Sequence, residues 1–390
     1  MKASLKACCN FYHNRVLEKY AEQETKRVTL RQLTVFGRHI TQDKLLRSAN
    51  YVRSELPVRL AHRIARFQQL PFVVGTNPHI ERIYRLYWEA FEQFRAVKQI
   101  ESIEDNREFC RLVQSMLNAH LVAIPELALG VMEARSHMDP QEADRFMNET
   151  LQSRIGRRVL AEQHIALSSV FDGTRVHPDG WIGIVNTNCK ALAIVEKCAH
   201  LASTLFRETY GVEAPRVTID DSLKAGFTYI PDHIEYIVFE LLKNSMRFTH
   251  QTRTSHTGSN PIKSGTRHRN CLSTALPPIK VTIGKSESHI VFRVSDEGGG
   301  ISTDRLPHIW SYCHESKREL QSPLTPMKLA AKLNDDVPID MHYGLGLPLS
   351  RVYANYWGGN LSLYTMEGLG TDVYVNIAIG NQSENLSFNE

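Results

Sequence analysis

The stretch Phe239-Glu-Leu-Leu-Lys-Asn-Ser-Met-Arg247 places a carboxylate, Glu240, one helical turn ahead of a carboxamide, Asn244. It lies in a segment, Asp232 to Thr249, that reads as helix throughout. Ile234, Ile237, Val238 and Leu241 form its apolar stripe. Tyr236, Glu240, Lys243, Asn244 and Arg247 fall on another face, because positions i, i+4 and i+7 stack. A carboxamide oxygen suits Mg²⁺, which keeps most of its waters and takes few protein ligands. A carboxylate beside it can accept a proton from an attacking hydroxyl. A solvated helix face would carry the same pair, so this helix decides nothing alone.

Three later stretches change the weighing. Ile290, Phe292 and Val294 alternate as a strand that ends in Asp296-Glu-Gly-Gly-Gly300. An aspartate there can accept from the amino group of adenine, while Gly298 and Gly300 open backbone conformations closed to other residues. Gly344-Leu345-Gly346-Leu347 runs into a helix from Pro348 to Trp357. Such an entry lets backbone N–H groups and the positive helix start approach phosphates. Gly368-Leu-Gly-Thr371 joins two strands, Leu361 to Thr365 and Asp372 to Ile379, and puts a hydroxyl within reach of the base. Each stretch has an ordinary reading as a turn or loop. In this order, the four describe a pocket for ATP.

Upstream the pattern is helical almost throughout. Leu45, Ala49, Val52 and Leu56 share one face, and Pro57 reads as the first turn of a following helix that breaks at Leu70-Pro71. Asn77-Pro78 starts another, with Ile83, Leu86, Tyr87, Ala90, Phe91 and Phe94 on one side. Phe109, Leu112, Val113, Met116 and Leu117 mark a third, and Asp139-Pro140 caps a fourth that runs to about Val170. Four long amphipathic helices with short connections read as a bundle. Asp172-Gly173 and His177-Pro178-Asp179-Gly180 break the pattern, after which helix and strand alternate, Ala191 to Tyr210 being a helix capped by Gly211.

The chain is therefore read as α+β in two domains: a basic N-terminal segment (1–27), a four-helix bundle (28–175) and a mixed α/β domain (176–382). Within the latter, 251–278 is polar, too poor in apolar side chains to bury, and reads as a mobile insertion. The 390 residues suit two domains, and the net charge of +4 does not point to nucleic acid. Seven cysteines without C-x-x-C spacing argue against a zinc site or disulfide scaffold. No run is read as a membrane span. Lys2, Lys6 and Arg15 precede any acid, as in an organelle-targeting segment.

As a set, the four motifs resemble the ATP-binding fold of gyrase B, heat-shock-90-type chaperones, histidine kinases and MutL. Glu55-Leu-Pro-Val-Arg-Leu-Ala-His62, Leu70-Pro-Phe, Phe239 to Arg247, Gly344-Leu-Gly-Leu-Pro-Leu-Ser-Arg351 and Gly370-Thr-Asp372 narrow this. They resemble the mitochondrial kinases of 2-oxoacid dehydrogenase complexes, pyruvate and branched-chain types together. The resemblance implies a histidine-kinase-like α/β sandwich behind the bundle, an ATP lid at 301–343, and transfer of the γ-phosphate to serine on the E1α subunit in the mitochondrial matrix. It implies Glu240 as general base and Asn244 as Mg²⁺ ligand, with Arg247, Asp296, Gly298, Gly300, Ser316, Gly344, Leu345, Gly346, Leu347 and Thr371 around the nucleotide. Potassium near the nucleotide, a homodimer formed through the nucleotide domain, and docking of the bundle on a lipoyl domain of the E2 core also follow from it.

This chain departs from the family pattern at Glu297, where the family has arginine, and at Ser245 and Phe248, where it has alanines. Tyr236 leans to the branched-chain type, and the pyruvate complex remains the commoner target. Two other activities fit the same pocket: a histidine kinase with His164 as phosphoacceptor, and a nucleotide-binding scaffold without transfer.

Overall fold

The computed structural model describes residues 14–176, 178–222, 226–257, 276–312, 344–380 and 382–385. Ser316, most of the expected insertion and the basic residues Lys2 and Lys6 lie outside them. Two compact units emerge. One is Met1–Val185 with Ser311–Leu345 and Ser383–Glu390; the other is Asn186–Trp310 with Gly346–Gln382. The division falls at Val185 rather than at residue 175, and Ser311, Tyr312 and the tail from Ser383 group with the helical unit.

The first unit contains α1 (Arg15–Ala21), α2 (Leu30–Gly37), α3 (Gln42–Gln68), the single turn α4 (Phe72–Gly75), α5 (Pro78–Ala96), α6 (Ile103–Ala119), α7 (Ala123–Glu133), α8 (Pro140–Phe171) and the short strand β1 (Trp181–Ile182). Helix α3 packs on α5 and α8, α6 on α8, and α5 on α7. The starts are written in the sequence. Asn77 and Asp139 accept from the backbone N–H groups of the first turn, each with proline at the first helical position.

Pro57 does not begin a new helix. It sits inside the continuous α3. An interior proline costs about 3 kcal/mol in lost hydrogen bonding and crowding. Leu56, Val58, Leu60 and Ala61 around it are all buried, and each large apolar side chain contributes about 1.5–3 kcal/mol on burial. Packing therefore outweighs the break.

The run Ile103–Glu133 is long and apolar enough to cross a membrane by length and composition, contrary to the sequence reading. A 3₁₀ turn at His120–Val122 divides it, and Phe109, Val113, Ala123, Leu127 and Val131 are buried within the unit.

Two polar clusters lie inside this unit. His164 is 1% exposed, with Nδ1 3.1 Å from Ser48 Oγ and Nε2 3.0 Å from Asn106 Oδ1. The second cluster centres on Arg59. Its Nη1 and Nη2 each donate at 2.9 Å to one oxygen of Glu384, and Nε donates to Glu55 Oε1 at 3.1 Å. The side chains are 3%, 0% and 4% exposed for Arg59, Glu384 and Glu55. Val28 N–H donates to Glu384 Oε2, and Lys26 supplies its N–H to Glu55 and its carbonyl to Arg59.

Burial lowers the His164 pKa from 6.5 to about 4. Burial, with Arg157 adding, does the same to His120. A histidine whose folded pKa is depressed contributes stability above its unfolded value, lost as pH falls toward the folded one. Denaturant unfolding is thus expected to weaken below pH 6.5, by roughly 2 kcal/mol per ring at pH 5. A flat stability between pH 7 and 5 would contradict the burial of these rings.

The second unit is a sheet covered by helices. It contains most of β2 (Val185–Cys189), then α9 (Ala191–Tyr210), β3 (Val217–Asp221), β4 (Phe227–Tyr229), α10 (Pro231–Thr257), β5 (Ile279–Lys285), β6 (His289–Asp296), α11 (Gly346–Tyr356), β7 (Asn360–Met366) and β8 (Gly370–Ala378). The main sheet has the order β3-β5-β6-β8-β7, with β3 and β5 parallel and the other neighbours antiparallel. Ile279, Val281 and Ile283, then Ile290, Phe292 and Val294, then Val373, Val375 and Ile377 are buried in alternation. Helix α10 packs on β5 and β6, and α11 on β7 and β8. Helix α9 ends at Gly211, whose φ of +67° is the left-handed cap expected there. Helix α10 runs to Thr257, so the start of the expected insertion is helical.

Candidate active site

Helix α10 carries both residues of the opening pair. Its apolar stripe is buried as the pattern requires: Ile234, Ile237, Val238 and Leu241 are at most 2% exposed. The polar face is not a solvated one, since Glu240 is itself only 7% exposed. A buried carboxylate needs partners. Glu240 has one in Lys243, whose Nζ lies 2.8 Å from Oε1. The same ammonium sits 5.7 Å from the Phe239 ring centroid.

Gly346 begins α11 against this pair. A Cβ placed on it would fall inside the van der Waals envelope of Glu240 Oε2 and 3.7 Å from Asn244 Nδ2. The start of α11, whose first backbone N–H groups have no partner within the helix, thus faces a carboxylate and a carboxamide at one point. The absent side chain is what leaves room there. Gly344 has φ +67°, and Leu345 is buried. Leu347 follows within α11.

The acid of the glycine turn also meets α10. Asp296 ends β6, and its Oδ2 accepts from Ser245, the residue after Asn244, at 2.8 Å. Oδ1 accepts from Gly298 N at 2.9 Å. Thr371 stands opposite Asp296 in the β6–β8 register, and its backbone also bonds the carboxylate. Burial pushes the Asp296 carboxyl above its ordinary value; the Ser245 hydroxyl, Gly298 and Thr371 pull it back, and Asp372 adds to the rise.

The glycine turn and the β7–β8 hairpin interlock. Gly368 N donates to Gly299 O at 2.8 Å, and Gly299 N to Leu369 O at 3.2 Å. Gly300 has φ +71°, and a side chain there would strike the Met366 carbonyl. This close approach of two backbones is why the turn is glycine-rich.

Of the residues expected at a nucleotide site, α10 and α11 bring Glu240, Asn244 and Gly346 together, and β6 with β8 brings Asp296, Gly298 and Thr371. Arg247 lies one turn past Asn244 with its guanidinium 5.7 Å from the Phe248 ring; among the described residues no hydrogen bond or ion pair joins it to the others. Sequence reasoning passed over Lys243 and Ser245 as site residues. Both stand inside the opening stretch, but their roles depend on what the facing elements present.

Gly346→Ala is expected to reduce phosphoryl transfer at least about ten-fold while leaving melting within a few degrees, because the added methyl displaces Glu240. Circular dichroism and a turnover assay check both halves. Full activity would mean the carboxylate has no fixed place.

Two family descriptions match separate parts of the chain. Residues 27–186 match the family described as mitochondrial branched-chain alpha-ketoacid dehydrogenase kinase. Residues 229–380 match the histidine kinase-, DNA gyrase B- and HSP90-like ATPases. Relatives along the whole chain include a mitochondrial pyruvate dehydrogenase (acetyl-transferring) kinase of Arabidopsis thaliana, 29% identical over 98% of this chain and 100% of its own length. One from Schizosaccharomyces pombe is 29% identical over 90% and 92%. Isozyme 1 of Mus musculus is 29% identical over 92% and 78%.

Proposed function

We propose that this chain is a kinase of the mitochondrial 2-oxoacid dehydrogenase type, which its two family matches and its full-length relatives support, and that it inactivates a dehydrogenase complex by ATP-dependent phosphorylation of serine on E1α. The relatives' activity makes pyruvate dehydrogenase the leading substrate. The supporting observation is the convergence of Glu240 and Asn244 at Gly346, with Asp296 held beside the same helix.

The chemistry follows from that placement. The substrate hydroxyl attacks the γ-phosphorus in line with the bridging oxygen to the β-phosphate. A bond forms between serine Oγ and phosphorus, the bond to the bridging oxygen breaks, and ADP leaves. Glu240 accepts the hydroxyl proton at Oε2, while Lys243 orients the carboxylate through Oε1. Backbone N–H groups at the start of α11 offset phosphate charge. The donor chemistry at this point, the Asn244 carboxamide beside the Glu240 carboxylate, would suit a hydrated Mg²⁺ held by the Asn244 oxygen. That ion, when bound, neutralises charge on the phosphate oxygens. Asp296 accepts from the adenine amino group, with Thr371 alongside. Gly298 and Gly300 shape the turn, and Gly344, Leu345 and Leu347 shape the phosphate side; Arg247 and potassium complete the proposed nucleotide site.

We further place the protein in the mitochondrial matrix, as a homodimer docked on a lipoyl domain of E2. Phosphate on His164 is disfavoured, because that ring is buried with both nitrogens hydrogen-bonded.

The test offers purified pyruvate and branched-chain E1 with ATP and Mg²⁺, followed by mapping of the modified residue. Serine phosphorylation of pyruvate E1α is expected. Transfer only to the branched-chain subunit would move the substrate, in line with the family matched by residues 27–186. Nucleotide binding without transfer to either would leave a scaffold.

A further inference from the structure

Ser245 is unlike several other helical hydroxyls of this fold. Ser168, Ser169, Thr204 and Thr209 each turn back to the carbonyl four residues earlier, the usual outlet for a mid-helix hydroxyl. Ser245 is 4% exposed and instead reaches across to Asp296 Oδ2 at 2.8 Å, 51 residues further along the chain.

The carboxylate it meets is almost fully engaged. An ionised carboxylate offers about four acceptor positions. Ser245 takes one, Gly298 N takes another on Oδ1, and the Thr371 backbone takes a third. One position remains, which suits a single donor from a ligand.

We propose that Ser245 is a positioning residue for base recognition: its hydroxyl fixes the Asp296 carboxylate in one rotamer, as an acceptor only, and so sets the preference for amino-purine over oxo-purine nucleotides. This rests on the reading that Asp296 receives the base. A protonated carboxyl would present an O–H, which an oxo-purine could accept as readily as an amino-purine could donate. Burial drives Asp296 towards that protonated form, and a donor fixed on Oδ2 opposes it. The Ser245 hydroxyl therefore governs both the direction of the free lone pair and the sign of the hydrogen bond it can make. The glycine turn cannot replace it, because Gly298 N holds only the other oxygen.

The experiment measures binding of ADP and of inosine diphosphate, each with Mg²⁺, to the full chain by calorimetry. Inosine carries an oxo group where adenine has its amino group. The wild type is expected to favour ADP. Ser245→Ala should weaken ADP by about ten-fold, the usual order for a hydrogen bond to a charged group, with inosine diphosphate changed less than about two-fold. The ratio between the two ligands is the readout, because a merely structural loss would weaken both alike. Ser245→Cys, a near-isosteric but weaker donor, should give an intermediate ratio and serves if the alanine protein does not fold. An unchanged ratio in either variant overturns the proposal. Asp296→Asn separates the two layers. If it collapses the ratio while the Ser245 variants do not, only the positioning role falls; if it leaves the ratio intact, the base assignment falls with it.

Discussion

Glu240→Gln is expected to bind nucleotide as the wild type does and to transfer phosphate more slowly by about 10²–10⁴-fold, the range a positioned general base contributes. The substitution keeps the shape of the side chain and its place beside Gly346. It removes the basic oxygen and the charge that pairs with Lys243. The hydroxyl proton then has no acceptor as the new phosphorus–oxygen bond forms. Single-turnover kinetics at saturating ATP, with ADP binding measured on the same protein, separates the two effects. A rate within a few-fold of wild type would remove Glu240 from the chemistry. A parallel loss of ADP binding would make it a structural residue.

Glu384→Ala is expected to destabilise the helical unit by about 3–5 kcal/mol, the cost of breaking a buried ion pair from one side. The fork between Arg59 and Glu384 has both nitrogens at 2.9 Å and neither side chain in contact with water to any extent. Removing Glu384 leaves the guanidinium buried with Glu55 as its remaining carboxylate. The unit falls below its stability threshold more readily than a surface change would suggest, since whole domains are stable by only about 5–15 kcal/mol. Replacing Glu55, Arg59 and Glu384 together by apolar residues of similar volume should recover most of the loss. Denaturant unfolding of Glu384→Ala and of the triple variant measures it. A loss under about 1 kcal/mol for Glu384→Ala would show that the tail does not hold its place.

Much of this was visible in one dimension. The helix through Glu240, the strand ending at Asp296, the cap at Gly211 and the β7–β8 hairpin all depend on local period and on glycine, and both are written in the sequence. Strand β5 escaped notice although Ile279, Val281 and Ile283 alternate. It directly follows a polar stretch, and its parallel partner β3 lies far back in the chain. Pro57 misled because a local rule was outweighed by burial on a scale that only packing reveals. The same holds at the site. Glycine spacing announced a phosphate-binding entry, but which side chain Gly346 makes room for is a fact about facing elements. Ser245 and Lys243 looked like ordinary helix residues until the strand and the glutamate they meet were in place.

The Arg59 fork also has a consequence for how the chain is made. Its carboxylate partner is 325 residues downstream. A ribosome that has finished the helices of the first unit has supplied Glu55 but not the second carboxylate of the cluster. Until Glu384 emerges, the two guanidinium nitrogens that it meets lack this acceptor. The last contact of this unit is therefore set only after the second unit has been translated.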